Sequence, residues 1–173
     1  MYLFNNQRLI TLRQAQGDEP AGILSQSKDA TSLLFETMNR QDFTDNFLQH
    51  YESPRNYGPL PEADVVTVGT NPGCGDVITI YLRVGDGNIA QKIQFEAEGC
   101  AISRGAASIL LERVQNKPLA EIRAIDYNDL IEQLGREIVL ARVQCATLGL
   151  STLKQAIQQY GDRRPGQPVK PVD

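Results

Sequence analysis

Three consecutive segments of this chain have the apolar patterns of strands: the first is valine-rich, with Val66 and Val68 on one face, and polar and apolar residues alternate along the other two. The segments cover residues 63–70, 77–84 and 89–98, and Gly85-Asp86-Gly87-Asn88 between the last two is a strong turn sequence. The side chains predicted to face inward from the last two strands are Ile78, Ile80, Leu82, Val84, Ile89, Gln91, Ile93, Phe95 and Ala97. We therefore expect a three-stranded antiparallel meander.

Apolar residues spaced three and four apart predict helices before and after this sheet. The predicted helices cover residues 42–51, 101–114, 118–123, 126–134 and 144–160. Asp126 is an expected N-cap and Gly135 an expected helix stop. In the last helix, Gly149 would let another backbone approach closely beside Cys145. The expected fold class is α+β, with helices packed on one face of the three-stranded antiparallel sheet.

Length and composition are those of one ordinary soluble domain with terminal extensions. The chain has 173 residues, 41% of them apolar and 22% charged, and its net charge of −4 gives no electrostatic reason to bind nucleic acid. No apolar run approaches the roughly 18 residues of a membrane span. We expect a disordered extension over 1–37, a folded domain over 38–160 and a flexible tail over 161–173. Met38 is a candidate natural start, and the basic segment before Gly17 leaves an organellar transit peptide as an alternative.

Three cysteines, Cys74, Cys100 and Cys145, carry the candidate chemistry. Cys74 lies in the loop Asn71-Pro72-Gly73-Cys74-Gly75-Asp76 before strand two, Cys100 ends strand three, and Cys145 opens the last helix. Because strands two and three run antiparallel, Cys74 and Cys100 are expected at one edge of the sheet, and the helix with Cys145 must then pack over it. Asp76, two residues beyond Cys74, points to the same side. Three thiolates and a carboxylate suit zinc or an iron–sulfur cluster.

Other interpretations of these residues remain open. A free cysteine is often a buried small hydrophobe, and Asp76 would serve equally as a turn-capping carboxylate. His50, the one histidine, is expected in packing or at the surface rather than as a ligand. Arg142 either holds a thiolate by its charge or forms a surface ion pair. Ser103 is expected to cap or orient the turn after Cys100, whose place at a helix start favours the thiolate.

Four motifs, in order along residues 42–160, resemble a known family. They are Leu48-Gln49-His50-Tyr51-Glu52-Ser53-Pro54-Arg55-Asn56-Tyr57-Gly58, Asn71-Pro72-Gly73-Cys74-Gly75-Asp76, Glu98-Gly99-Cys100-Ala101-Ile102-Ser103 and Arg142-Val143-Gln144-Cys145-Ala146-Thr147-Leu148. The chain is similar to the IscU/SufU/NifU-N family of iron–sulfur cluster assembly scaffolds. This resemblance implies the SufE/IscU-like fold, and it implies cluster or metal ligands at Cys74, Asp76, Cys100 and Cys145. It also implies a SufS/IscS-type cysteine desulfurase and recipient apoproteins as partners, and a cytoplasmic location.

Departures from the family separate its branches. Gln144 stands where the IscU branch has a histidine, and Ile138-Val139-Leu140-Ala141-Arg142 replaces the Leu-Pro-Pro-Val-Lys chaperone motif of that branch. Delivery through the specialised Hsp70 chaperone is therefore not expected. The third-cysteine motif resembles SufU, but the 45-residue step from Cys100 to Cys145 leaves little room for the SufU insertion. The chain is SufU-like in its ligands and IscU-like in its length.

Three functions follow from this resemblance and from the donor set. The one we favour is a scaffold that accepts sulfur, builds a transient [2Fe–2S] cluster and transfers it to apoproteins. The second is a zinc-dependent sulfur acceptor of the SufU type, with Cys74 on its glycine loop as the candidate sulfur acceptor. Between a carrier and a sulfurtransferase-like enzyme, we expect a carrier. The third is a structural zinc protein, although the helix and strand pattern is sufficient for a core without metal.

Overall fold

The computed structural model describes residues 40–163, and the predicted α+β order is confirmed there. The elements are α1 (Arg40–Glu52), β1 (Val65–Asn71), β2 (Asp76–Gly85), β3 (Ile89–Glu98), α2 (Ala101–Val114), α3 (Leu119–Ala124), α4 (Tyr127–Gln133), α5 (Arg136–Val139) and α6 (Val143–Gly161). Two 3-10 turns, Asp86–Asn88 and Leu140–Arg142, precede β3 and α6. The pattern did not predict α5. The predicted extension over 1–37 and the tail beyond Arg163 lie outside the described residues, so the domain limits stay predictions.

The sheet has the strand order β1-β2-β3, and both strand pairs are antiparallel, as predicted. Alternate side chains of β2 are fully buried, because one face of the sheet is covered by helices. The pairing of Val77 with Glu98 brings the start of β2 beside the end of β3. The loop that carries Cys74 and the residue that follows β3, Cys100, therefore lie at the same edge of the sheet.

The prediction was wrong for the face of one residue, because a β-bulge lies near the turn. Gln91 is exposed rather than inward, while Ala90 is buried. The strand ladder pairs Arg83 with Lys92. The next pair is Val84 with Ala90, so Gln91 has no partner on β2 and the start of β3 turns over by one residue. The prediction holds from Ile93 onward, where the register is regular.

Helices α2 and α6 cover the inner face of the sheet and pack against each other, and α1 packs on α2. A Cβ added at Gly149 on α6 would lie 3.2 Å from Cβ of Ala107 on α2, which confirms the close approach predicted there. A Cβ added at Gly69 on β1 would lie 1.9 Å from Oγ1 of Thr152. These two glycines let α6 lie close to both neighbours, which brings the start of α6 to the sheet edge that carries Cys74.

The local helix signals also hold. The Asp126 side chain accepts a hydrogen bond from the amide of Asn128 at 2.7 Å and caps α4. Gly135 follows α4 with a φ of +82°, a value that favours glycine. None of the described helices is long and apolar enough to cross a membrane.

Candidate functional site

The loop between β1 and β2 holds Cys74 in an exposed position whose shape Asn71 sets. The Asn71 carbonyl accepts hydrogen bonds from the amides of Cys74 at 3.2 Å and Gly75 at 2.8 Å. Its side-chain oxygen accepts a third, from the amide of Gly73 at 3.1 Å. Gly75 has a φ of +75°, which a residue with a side chain rarely adopts. The loop thus turns tightly around Asn71 and presents the Cys74 thiol outward.

Asp76 links this loop to the start of α2. Its carboxylate accepts hydrogen bonds from the amide of Cys100 at 2.9 Å and from the Cys100 thiol at 3.2 Å. A Cβ added at Gly99 would lie 2.3 Å from Oδ1 of Asp76, so glycine is required for this close approach. The Ser103 hydroxyl donates to the Cys100 carbonyl at 2.9 Å, which agrees with the expected turn-orienting role. Asp76 therefore both binds the backbone at the N-cap residue of α2 and faces the thiols.

Cys145 enters the site from the first turn of α6. Its sulfur lies 3.2 Å from the sulfur of Cys74, and the side-chain amide of Asn71 donates to it at 3.7 Å. The ligand atoms of Cys74, Asp76 and Cys145 all lie within 4.8 Å of one another. Cys100 joins them through Asp76. The four predicted residues are thus brought together, and we call them the thiol site.

Burial and hydrogen bonding shift two pKa values in the thiol site. Burial by itself would raise the pKa of Asp76, but hydrogen bonds from the three cysteines outweigh it and lower that pKa to about 2. Burial raises the pKa of Cys145 to about 12, and hydrogen bonds with Cys74 and Asp76 act in the same direction. Asp76 is therefore ionised at neutral pH, whereas Cys145 is protonated. A metal that binds Cys145 must release its proton.

The chemistry of the donors fits a soft metal or a cluster. A tetrahedral zinc with Zn–S bonds near 2.3 Å separates its sulfur ligands by roughly 3.8 Å, and the sulfurs of Cys74 and Cys145 are 3.2 Å apart. Three thiols with one carboxylate also suit iron in a cluster, since thiolates are the usual ligands and the oxygen is a weaker one. The arrangement thus fits either metal, and the ligand role of the four residues stays a prediction.

The remaining candidate residues lie away from these donors. His50 is buried between α1 and α2, where its ring nitrogens face Ser108 and Glu112, as expected for a packing residue. Arg142 is exposed just before α6. Within residues 40–163, neither a thiolate contact nor an ion pair is seen for Arg142.

Asn71 is the site residue that the sequence analysis missed. It is 8% exposed, and its side chain connects the Cys74 loop to the Cys145 sulfur. Asn-Pro-Gly after a strand is a sequence typical of a turn in which the asparagine side chain binds the backbone, so a signal was present. The contact with Cys145 depends on how α6 packs and has no local signal.

An open groove of about 360 Å³ adjoins the thiol site. It lies between the end of β1 with its loop and the first three turns of α6. Its lining residues are Thr70, Asn71, Pro72, Gly73, Gln144, Thr147, Leu148 and Ser151. The groove is therefore lined by the immediate chain neighbours of Cys74 and Cys145, which are Gly73 and Gln144.

Comparison with known proteins identifies the family. Residues 42–166 match the NifU-like N-terminal domain family. This chain belongs to that family. Iron sulfur cluster assembly protein 1, mitochondrial, of Yarrowia lipolytica is 30% identical over 153 residues, which cover 83% of each chain. The iron–sulfur cluster assembly scaffold protein IscU of Escherichia coli K12 is 32% identical over 126 residues, 70% of this chain and 96% of IscU.

A solved structure is also similar to this chain. FiSufU of Fervidobacterium islandicum, described as an iron–sulfur cluster assembly scaffold for the SUF system, is 25% identical. It superposes with a TM-score of 0.55 over 65% of this chain and 94% of its own. This chain is therefore similar to proteins of both the IscU and the SufU kind, in line with the mixed features of its sequence.

Proposed function

We propose that this chain is an iron–sulfur cluster assembly scaffold. It accepts sulfur from a cysteine desulfurase, holds a [2Fe–2S] cluster as the cluster forms, and passes it to recipient apoproteins. The observation that carries the proposal is the convergence of three thiols and the Asp76 carboxylate at one sheet edge, in a chain of the NifU-like N-terminal domain family. The relatives named above are assembly proteins, which supports the same role. A cytoplasmic location stays a prediction, because a mitochondrial protein is also among the relatives.

We infer that Cys74 is the thiol that receives sulfur. It is exposed on a loop flanked by glycines, whereas Cys145 is buried. The Cys74 thiolate attacks the outer sulfur of the desulfurase persulfide, the desulfurase thiolate leaves, and Cys74 then carries the persulfide. The adjoining groove offers room for a segment of the donor protein beside this thiol.

Asp76 supplies the weaker ligand that lets a cluster leave. An oxygen donor binds iron less strongly than a thiolate, so Asp76→Ala is expected to slow cluster transfer to an apoprotein severalfold. The measurement is the rate at which the chromophore passes to the recipient. Asp86→Ala, which removes an exposed carboxylate from the β2–β3 turn, is the control for lost charge. Faster cluster loss from Asp76→Ala than from the parent would count against this role.

A zinc-dependent sulfur acceptor is the second candidate. Gln144 in place of a histidine before Cys145 and the likeness to FiSufU favour it. The four donors would then hold a resident zinc, which would keep the thiols deprotonated. In that case we expect the desulfurase to turn over faster, and we expect no cluster to be transferred.

Cluster transfer tests the proposal. The full-length protein is mixed anaerobically with a desulfurase, cysteine and iron, and then with an apoprotein that binds [2Fe–2S] through four cysteines. Appearance of the cluster in the apoprotein supports the scaffold. A rise in desulfurase turnover on addition of the zinc-loaded protein, without cluster transfer, would support the acceptor. Zinc binding with neither effect would leave the structural zinc protein.

A further inference from the structure

The shortest side-chain contacts of the thiol site pair its donors two by two, although the Asp76 carboxylate also accepts hydrogen bonds from Cys74 and Cys145. The Cys100 sulfur lies 3.2 Å from Oδ2 of Asp76 and 3.8 Å from Oγ of Ser103. The Cys74 sulfur instead lies 3.2 Å from the Cys145 sulfur. The exposed thiol is thus paired with a buried thiol, while the third thiol is engaged by the carboxylate.

We propose that Cys145 is the resolving thiol for sulfur carried on Cys74, so that sulfide is released within the chain itself. This inference rests on the proposed function, since the step begins with a persulfide on Cys74. The Cys145 sulfur attacks the inner sulfur of that persulfide. The persulfide S–S bond breaks, a disulfide between Cys74 and Cys145 forms, and the outer sulfur leaves as H₂S with the protons of the persulfide and of Cys145.

The pair of thiols balances the electrons of this step. The outer sulfur of a persulfide must gain two electrons to become the sulfide that a cluster contains. Oxidation of two thiols to one disulfide supplies those two electrons. A dithiol reductant from outside the chain must then reduce the disulfide before Cys74 and Cys145 serve as ligands again.

The geometry needs only a small movement. A disulfide bond is about 2.05 Å long, so the two sulfurs must approach by roughly 1.2 Å. Cys74 can supply this movement because it lies between Gly73 and Gly75 on an exposed loop, and no atom lies within 4 Å of a Cβ placed at Gly75. Cys145 is 4% exposed, which shields it from thiols of other molecules but not from Cys74.

Asn71 keeps the two thiols facing each other. Its side chain accepts from the amide of Gly73 and donates to the sulfur of Cys145. Cys100 is the competing thiol, but its sulfur contacts Asp76 and Ser103, whereas the Cys74 sulfur contacts Cys145. The structure therefore favours Cys145 as the partner of Cys74.

The first test uses a disulfide reagent and does not require a desulfurase. Metal-free, full-length Cys100→Ser protein, which keeps only Cys74 and Cys145, is treated with one equivalent of 5,5′-dithiobis(2-nitrobenzoate). A resolving pair releases two equivalents of thionitrobenzoate and leaves no adduct in the mass spectrum. The matched Cys100→Ser/Cys145→Ser protein is expected to release one equivalent and keep the adduct on Cys74. One equivalent and a stable adduct from Cys100→Ser as well would overturn the proposal.

The second test follows sulfur. Protein with all three cysteines and its Cys145→Ser variant are loaded by a desulfurase and cysteine without reductant, and peptides are mapped by mass spectrometry without reduction. We expect sulfide and a Cys74–Cys145 disulfide from the former, and a persistent Cys74 persulfide with at least tenfold slower sulfide release from the latter. Cys145→Ala repeats the measurement if serine disturbs folding, which a thermal melt reports.

The outcomes separate the two proposals. Sulfide release from Cys145→Ser at the parent rate, or a disulfide between Cys74 and Cys100, would overturn the resolving role. Absence of any persulfide on Cys74 of the Cys145→Ser variant, together with two equivalents of thionitrobenzoate in the first test, would contradict sulfur acceptance but support the resolving pair.

Discussion

Two groups of buried polar side chains within residues 40–163 differ in how those side chains are satisfied. In the first, His50 is 3% exposed and faces Oγ of Ser108 at 2.8 Å and Oε2 of Glu112 at 3.4 Å. Ser108 also accepts from the amide of Arg55 at 2.8 Å, so its hydroxyl proton is free to point at the histidine ring. We call these four residues the histidine cluster. Each polar group there has a conventional partner, and the cluster ties α1 and its following loop to α2.

The thiol site is arranged differently. One of its close contacts, at 3.2 Å, is between the sulfurs of Cys74 and Cys145, which are weak hydrogen-bond partners for each other. A metal ion or a transferred sulfur would satisfy these atoms better than they satisfy one another. A buried titratable residue is therefore not by itself a sign of function. Convergence of several soft donor atoms from separate elements is the stronger indication.

The largest expected effect comes from removing a thiol. Cys74→Ala, Cys100→Ala and Cys145→Ala are each expected to reduce cluster assembly to background, because each removes a thiolate donor that the others cannot replace. The measurement is cluster absorbance after reconstitution, with circular dichroism to show that the chain stays folded. Full activity in any one of the three would contradict the three-thiolate site.

A pair of glycine substitutions tests the position of Asp76. Gly99 and Gly75 have φ of +148° and +75°, so an alanine at either costs about 1–3 kcal/mol of backbone strain. Only the alanine at Gly99 would also displace Asp76, whose Oδ1 lies 2.3 Å from the added Cβ. We expect Gly99→Ala to weaken zinc binding about 10–100-fold in a chelator competition, and Gly75→Ala to weaken it less. Equal losses would show that contact with Asp76 is not what matters.

The histidine cluster should respond in stability rather than in assembly. His50→Ala removes the ring nitrogen that faces the buried Ser108 hydroxyl, which is expected to lower the free energy of unfolding by about 1–3 kcal/mol in a urea titration. Gln49→Ala, an exposed change on the same helix, is the control and is expected to stay within about 0.5 kcal/mol. Cluster assembly per folded chain should be unchanged in both. Loss of assembly in a fully stable His50→Ala protein would show that the histidine cluster acts in function rather than in stability.

The smallest effect is a pH dependence of stability. Burial lowers the pKa of His50 from its ordinary 6.5; Arg55 and Arg113 lower it further, and Glu112 opposes them. The unfolded chain therefore takes up a proton near pH 6.5 that the folded chain does not, so the free energy of unfolding falls as the pH drops below about 6.5. His50→Gln should have a flatter profile between pH 5 and 7 in urea titrations. Identical slopes would show that His50 does not titrate with folding.

Titration of Asp76 affects the stability of the fold in a separate, more acidic pH range. Its pKa is lowered from 3.8 to about 2, so its stabilisation is complete above pH 3.8 and is lost as the pH falls towards 2. The two clusters thus differ in the pH at which each stabilises the fold.

The elements and the edge at which the cysteines meet were predictable from local patterns. Helix α2 has the predicted bounds, and antiparallel pairing alone places Cys74 near Cys100. The exposed face of Gln91 was not predictable, because the bulge at Arg83 and Val84 leaves no trace in the apolar pattern. Helix α5 is only four residues long, too short for a periodic signal.

Contacts between distant elements explain the rest of what the sequence could not supply. The sulfur contact of Cys74 with Cys145 depends on α6 approaching β1 and α2 at Gly69 and Gly149. The bridge from Asn71 to Cys145 depends on the same packing. Such distances depend on how side chains of different volume pack across the core. A single sequence therefore indicates which residues meet but not how closely they approach.

Anaerobic reconstitution with iron, cysteine and a desulfurase is the measurement that tests the central claim most directly, with visible absorption and metal content determined on the same sample. The proposed function predicts a [2Fe–2S] chromophore and little zinc. One tightly held zinc per chain, with no cluster formed, would contradict it.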